Sequence, residues 1–293
     1  SGSRFIAGAQ DNGTVAGELI EGTNGWRHLF GGDGGYVAVA QDNADLVFVE
    51  SQNGNIARSR DGGHTFVSIR RGLTDLFLFI TPFVLDPTNS RRLWIGGERL
   101  WRTDDEGDTW VTVGPLLDGQ LSAIAAAGNR AFAGTTSGAI YRSNNGNAAT
   151  VTFESSVPRE GFVTSVAFDP FNVATIYATY GGFGGAHVWR SIDGGASWQP
   201  LDGDSIPDIP VHSIAPDPTT AGRIFLGTDL GVFASNDNGA TWSPENFGFT
   251  PVVTETVLIA RGANGPALYA FTHGRGVWRA ELTEPRRRRA VAR

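Results

Sequence analysis

Ser59-Arg60-Asp61-Gly62-Gly63-His64-Thr65-Phe66 decides the fold, because the same octet returns along the chain. It reads TDDEGDTW over Thr103–Trp110, SIDGGASW over Ser191–Trp198 and SNDNGATW over Ser235–Trp242, with a worn copy at Ser143-Asn144-Asn145-Gly146 followed by Thr152-Phe153. With Asp61, Asp105, Asn145, Asp193 and Asp237 as markers, successive copies lie 44, 40, 48 and 44 residues apart. A fixed period of this length marks structural units that bury their apolar faces only against neighbours. Here it corresponds to one four-stranded propeller blade per copy.

Each residue of the octet has a physical job in a turn. The Asp carboxylate accepts backbone N–H groups across its own turn, glycine takes the positive φ, and the closing Trp or Phe is a large apolar wedge. The acidic octets therefore read as hairpin staples at the periphery rather than as a catalytic or metal-binding set.

Alternation and turn signals divide the rest of each blade. In the clearest case 211–218 is the inner strand, 223–229 the second, 231–237 the third and 241–247 the outer. Third strands align as Leu100-Trp101-Arg102, Ile140-Tyr141-Arg142, Val188-Trp189-Arg190, Val232-Phe233-Ala234 and Val277-Trp278-Arg279. The aromatic reads as core packing and the Arg as a solvated stem. Five complete blades are expected, starting near Gly35, Leu76, Leu121, Val163 and Val211. Residues 5–10, 14–19 and 26–30 supply three strands with no inner strand ahead of them, and residues 254–282 supply three with no outer one. The expected fold is thus all-β, a seven-bladed propeller with incomplete first and last blades, six blades being the alternative. Residues 1–284 form a single propeller domain and 285–293 a basic disordered tail.

The octet resembles the Asp-box, or BNR, repeat of sialidases, sortilin-type receptors, xyloglucanase-type glycosidases and photosystem-assembly propellers. The resemblance covers nearly the whole chain. It implies a secreted protein, extracellular or periplasmic, whose boxes lie away from the functional site.

Composition narrows the chemistry. The 293 residues include 40 Gly, 14 Pro, 18 Phe and 8 Trp, a composition of short strands and tight turns. Cysteine is absent and all 23 basic residues are Arg, which removes disulfides, thiolate ligands, cysteine nucleophiles and lysine Schiff bases. The net charge of −7 includes Arg286, Arg287, Arg288, Arg289 and Arg293, so the body carries −12 and is a poor partner for nucleic acid. The longest apolar run, Leu76 to Leu85, is too short to span a bilayer. No paired-His spacing points to zinc, and no cofactor or metal site is expected. A second domain or an upstream segment is envisaged as a partner for the ring.

In a propeller with this strand order, the loops joining second to third strands and one blade to the next converge on one face. There the sequence places Gln10-Asp11-Asn12-Gly13, Gly31-Gly32-Asp33-Gly34, Ser51-Gln52-Asn53-Gly54, Glu98-Arg99, Thr228-Asp229 and Thr272-His273-Gly274-Arg275-Gly276. These are turn signals, but they also gather carboxylates and amides suited to sugar hydroxyls. The widest octet spacing comes from a flexible loop, Tyr180-Gly181-Gly182-Phe183-Gly184-Gly185, which would present Tyr180 and Phe183 for stacking. His212 lies on an inner strand where it could line the channel.

Two functions compete. The first is a non-catalytic propeller that binds a polysaccharide or protein ligand on this face, favoured by the lack of a complete catalytic signature. The alternative is a glycoside hydrolase of xyloglucanase type, which needs one carboxyl as general acid and another as base or nucleophile. Candidates for those roles are Asp11, Asp33, Glu98 and Asp229, with Asn12, Gln52, Asn53, Arg99, Tyr180, Phe183, His273 and Arg275 as substrate contacts. A sialidase is disfavoured because Arg4-Phe5-Ile6-Ala7 stands where the family's Phe-Arg-Ile-Pro motif belongs.

Overall fold

A computed structural model describes residues 4–18, 21–22, 25–246, 248, 251–262 and 265–282. They form seven antiparallel sheets with no α-helix, a seven-bladed β-propeller. The middle five sheets have four strands and the first and last have three, each in chain order. The first strands of the second to seventh sheets lie side by side in the inner ring. Four of them, Leu121–Ala127, Val163–Phe168, Val211–Pro216 and Thr254–Gly262, carry a register shift after their first residue. A bulge at this point bends the strand and re-aims its side chains at the rim of the channel.

Blade stacking supplies the core. Phe48, Ile56, Leu93 and Ile95 are fully buried between blades 2 and 3, and Leu226, Val211 and Val188 fill the same space between blades 5 and 6. Each such side chain contributes about 1.5–3 kcal/mol relative to exposure.

The octets sit in the turns between third and outer strands. In the first, the Asp61 carboxylate accepts the amides of His64 (3.0 Å) and Thr65 (2.9 Å) and the Thr65 hydroxyl (2.6 Å), while Ser59 Oγ accepts the Gly63 amide (2.7 Å). The worn copy keeps the scheme with Asn145, whose Oδ1 accepts the Thr152 amide at 2.9 Å.

The third-strand arginines differ from expectation: they are clasps, not solvated stems. Arg58 donates to the Glu106 carbonyl (2.8 Å), Arg102 to the Gly146 carbonyl, Arg142 to the Gly194 carbonyl (3.2 Å) and Arg190 to the Asn238 carbonyl (3.0 Å). Each acceptor belongs to the octet of the following blade. Arg4 plays the same part for blade 1, donating to the Gly62 carbonyl. Blade 6 has Ala234 at this position, and blade 7 carries no octet for an arginine to reach. In return the octet tryptophans donate backwards, Trp110 to the Ile69 carbonyl (2.7 Å) and Trp242 to the Leu201 carbonyl (2.9 Å).

Two strand boundaries moved. The inner strand of blade 3 begins at Phe83, not near Leu76. Residues 76–82 instead cross the end of the blade as a loop held by the Asn53 amide on the Phe79 carbonyl (2.9 Å) and by a single bridge between Gln52 and Ile80. Pro82, which has no N–H, stands between loop and strand. The outer strand of blade 6 is Ser243–Pro244, as short as the outer strands Val67–Ser68 and Val111–Thr112 of blades 2 and 3. Between blades 1 and 7 the Phe5 and Tyr269 rings meet with centroids 5.1 Å apart. The tail, 285–293, lies outside the described residues.

Candidate functional site

The strand order puts the octets at one end of the five four-stranded sheets and the second-to-third and inter-blade loops at the other. The second end carries two polar clusters.

The first spans blades 1 and 2. The Asp11 amide donates to Asp33 Oδ1 at 2.7 Å, and the Asp33 amide donates to Gln52 Oε1 at 3.1 Å. Asp11 (φ 61°) and Asn53 (φ 61°) are left-handed, a conformation that Asp and Asn tolerate better than most residues. Asn12 serves its own turn, with Nδ2 on the Gln10 carbonyl at 3.0 Å. Beside this cluster the 76–82 loop exposes Leu76, Phe79 and Ile80. Polar groups thus stand next to an apolar lip. The lip was hidden in the sequence because these residues read as strand.

Beneath the cluster lies a carboxyl the sequence reading passed over. Glu50 ends the second strand of blade 2 and is fully buried. Its Oε1 accepts the Thr81 amide at 3.3 Å, and its Oε2 has no hydrogen-bond partner. Burial pushes this carboxyl up to about 8, the Thr81 amide and neighbouring donors offsetting only part of the cost. Three other blades have glycine at the equivalent position (Gly96, Gly134, Gly227). Gly35 must also lack a side chain, because a Cβ there would stand 1.8 Å from Glu50 Oε2. That substitution of Glu for Gly in a buried run was the available sequence signal.

The second cluster spans blades 6 and 7. His212 Nε2 lies 2.7 Å from Asp229 Oδ1, its Nδ1 lies 3.7 Å from Glu255 Oε2, and Glu255 Oε1 lies 3.2 Å from His273 Nδ1. Two sequence candidates, Asp229 and His273, are thus joined through His212 and Glu255. Glu255 carried no sequence signal, since it is one polar residue in an alternating strand. With one-third exposure, Asp229 is both fixed and open to solvent.

The remaining candidates do not join either cluster. Arg99 Nη1 pairs with Asp75 at 2.7 Å, and Asp75 also accepts the Arg99 amide and Trp101 Nε1, so this arginine braces its own blade. Glu98 is half-buried beside it. Tyr180 is not on the loop at all: it ends the second strand of blade 5, fully buried, with its hydroxyl on the Gly138 carbonyl at 3.0 Å. It therefore presents no face to a ligand. Phe183 is 69% exposed. The loop that carries it is tied down rather than flexible, by Arg159 on the Phe183 and Ala186 carbonyls, by the Gly184 amide on Asp208 and by buried His187 against Asp202. Arg275 is exposed at the tip of the last hairpin.

Two cavities of about 160 and 190 Å³ lie at the octet end, one lined by Asp169, Tyr177 and Arg190, the other by Arg142, Asn145 and Glu154. They are smaller than usual ligand pockets and are remote from both clusters. Among the described residues no group of three His, Asp or Glu is arranged to hold a metal ion, and no helix is long and apolar enough to cross a membrane.

No family model matches the chain. Its sequence is similar to a xyloglucanase of Hypocrea jecorina (strain QM6a), 26% identical over 231 residues, covering 73% of this chain and 25% of the relative. Among solved structures it resembles an ancestral GH74 enzyme (TM-score 0.68, 17% identity, 85% of this chain and 36% of the other). It also resembles the GH74 xyloglucanase of Xanthomonas campestris (TM-score 0.61, 15% identity, 87% and 46%). The chain spans about a quarter of the length of the curated relative it matches. The sequence likeness and the seven-bladed fold fit a propeller of the sialidase and xyloglucanase type.

Proposed function

We propose that this chain is the propeller of a secreted glycoside hydrolase of xyloglucanase type, acting on a polysaccharide laid across the loop face. The observation that carries the reading is the sequence likeness to a xyloglucanase over 231 residues. It weighs against the binding-only function that the missing catalytic signature first suggested. The octets, read as Asp-box repeats, belong to the same picture.

Glycosidic cleavage needs two carboxyl groups, one donating a proton to the leaving oxygen and one activating water or attacking the anomeric carbon. Asp33 and Asp229 suit these roles best. Each is held by a neighbour, the Asp11 amide and His212 respectively, and each keeps solvent access. Gln52, Asn53 and His273 would hold hydroxyls, and Leu76, Phe79 and Ile80 a sugar face. Because the chain matches only a quarter of its relative, the opposite wall of the cleft would come from a second domain.

Binding without cleavage is the second reading. It draws on the placement of Asp33 and Asp229 in separate clusters, each closed by its own hydrogen bonds.

A panel of β-glucans, xyloglucan and xylans, assayed for released reducing ends and for retention in affinity gels, separates the two. The expected result is release that falls about 100-fold or more in Asp33→Asn and Asp229→Asn with retention kept. Retention of a polysaccharide without release would move the assignment to binding. A folded protein that neither cleaves nor retains any of them overturns both.

A further inference from the structure

Blades 3, 5 and 6 share a corner at the octet end, where the inner strand turns back into the second. Asp86, Asp169 and Asp217 stand at equivalent places there, their amides donating to the carbonyls of Arg92 (2.9 Å), Thr175 (3.0 Å) and Arg223 (2.9 Å). Strand pairing also aligns Trp94 with Tyr177, Arg102 with Arg190 and Thr103 with Ser191. Asp104 of blade 3 is therefore matched by Ile192 in blade 5.

In blade 3 these positions hold a closed chain of charges. Arg92 Nη1 lies 3.7 Å from Asp86, Arg92 Nε binds Asp104, and Asp104 accepts Arg102 Nε at 2.9 Å. Blade 6 keeps the first link, Arg223 against Asp217. Blade 5 keeps only the ends of the chain, Asp169 and Arg190, with Thr175 in place of the inner arginine and Ile192 in place of the inner carboxylate. There the cavity of about 160 Å³ opens, lined by Asp169, Thr175, Tyr177, Arg190 and Ile192, and by Asn238 from blade 6.

The charges on its two sides are unmatched. Arg58, Arg102 and Arg142 meet Asp108, Asp104 and Glu154, whereas no salt bridge joins Arg190 to a carboxylate among the described residues. Arg190 Nη1 donates to the Asn238 carbonyl, and its buried Nε has no acceptor. Asp169 Oδ1 accepts the Phe171 and Asn172 amides (2.8 and 3.0 Å), while Oδ2 accepts only the Tyr177 hydroxyl (3.1 Å) and keeps a lone pair free. Burial and the Asp169 charge push that hydroxyl up, so it stays a donor. A lone anion in the cavity would be repelled by Asp169, and a lone cation by Arg190. A molecule carrying both charges satisfies both sides. Phe171 and Ile192, exposed at the cavity, offer it an apolar margin.

We infer that this cavity is a binding site for a small zwitterion, a free α-amino acid with an apolar side chain. Its carboxylate stands beside Arg190 as Asp104 stands beside Arg102, its ammonium faces Asp169 as Arg92 faces Asp86, and its side chain lies against Phe171 and Ile192. The inference is independent of the hydrolase assignment, since the cavity is remote from both carboxylate clusters.

Equilibrium dialysis of the protein against labelled L-valine is the test. Saturable binding of one molecule per chain is expected at about 0.1–1 mM. Valinamide, which lacks the anion, and N-acetylvaline, which lacks the cation, should each bind at least about tenfold more weakly, because each leaves one protein charge unmatched. Asp169→Asn keeps an acceptor for the Phe171 and Asn172 amides and should weaken valine binding by about tenfold as well. Thr175→Arg combined with Ile192→Asp builds the blade 3 arrangement into blade 5. It should abolish binding with a melting temperature equal to or above that of the parent. No saturation by about 20 mM valine overturns the inference. So does equal binding of either single-charge analogue, or undiminished binding by the double variant. Should the double variant fail to fold, undiminished binding by Asp169→Asn overturns it in the same way.

Discussion

The two ends of each blade satisfy their carboxylates in opposite ways. At the octet end Asp193 collects the amides of Ala196 and Ser197 and two hydroxyls, all from within four residues. At the loop end the partners lie far apart in sequence: Asp11 with Asp33 (22 residues), Asp33 with Gln52 (19), His212 with Asp229 (17) and His273 with Glu255 (18). A carboxylate that spends its lone pairs inside its own turn stabilises that turn and has little left for a ligand. One that is held by a single contact from a residue distant in sequence is positioned and still open. The contrast gives the octet end a part in folding and leaves the loop end with carboxylates that are fixed yet open to solvent.

The largest expected effect tests the folding end. Trp110 is almost fully buried, fills the seam between blades 2 and 3, and donates to the Ile69 carbonyl. Trp110→Ala should cost about 3–5 kcal/mol in denaturant unfolding while leaving polysaccharide retention per folded molecule unchanged. A loss of retention in the fraction that remains folded would break the division between the two ends.

Next in size is a pH effect with opposite signs at the two ends. Glu50, with its carboxyl pushed up to about 8, binds a proton in the folded protein that the unfolded chain releases near 4.5. Its neutral form is the stable one, so stability is intact below about pH 4.5 and falls as pH rises to 8, by roughly 1.4 kcal/mol per unit at most. Glu50→Gln should remove that slope and be more stable than the parent at pH 8 by a few kcal/mol. At the octet end the direction reverses. The Thr241 hydroxyl and amide hold Asp237 down at about 2, and the equivalent Thr65 and Ser197 groups hold Asp61 and Asp193 lower still. Their contribution is present above the ordinary carboxylate value of 3.8 and is lost as pH falls toward 2. Melting temperatures measured from pH 2 to 9 should therefore drop at both extremes, with only the alkaline drop abolished by Glu50→Gln. An alkaline drop that survives the replacement would show that Glu50 is not its cause.

The same contrast explains what could be read in advance. The octets announce themselves because their hydrogen bonds are local, so the residues that make them are fixed in order and recur every 40 to 48 positions. Blade number and strand pairing follow from that period. The loop face could be located, since topology alone sends those loops to one end, but its pairings depend on which residues of different blades meet. Asp11 with Asp33 and Asp229 with His273 were visible as candidates; that His212 and Glu255 join the second pair was not. Leu76, Phe79 and Ile80 read as strand because they are apolar, and only the bridge from Gln52 to Ile80 shows them as a lip. Tyr180 read as loop because glycines follow it, although strand pairing with Val163 reaches it. The arginine clasps were misjudged because a guanidinium beside an aromatic looks the same in sequence whether its acceptor is water or the next blade's carbonyl.

The smallest effect concerns Phe183, which separates exposure from anchoring. Its ring is solvent-exposed while its backbone is fixed by Arg159, so Phe183→Ala should change unfolding stability by less than about 0.5 kcal/mol. If the loop face holds a glycan, loss of a pre-positioned aromatic should weaken retention by several-fold, on the order of 1 kcal/mol. Arg159→Ala frees the loop without removing the ring, and should weaken retention less than Phe183→Ala does. Equal losses would mean that the tied loop matters more than the ring. No loss in either would confine the ligand to the clusters on blades 1–2 and 6–7, leaving the blade 5 insertion outside the binding surface.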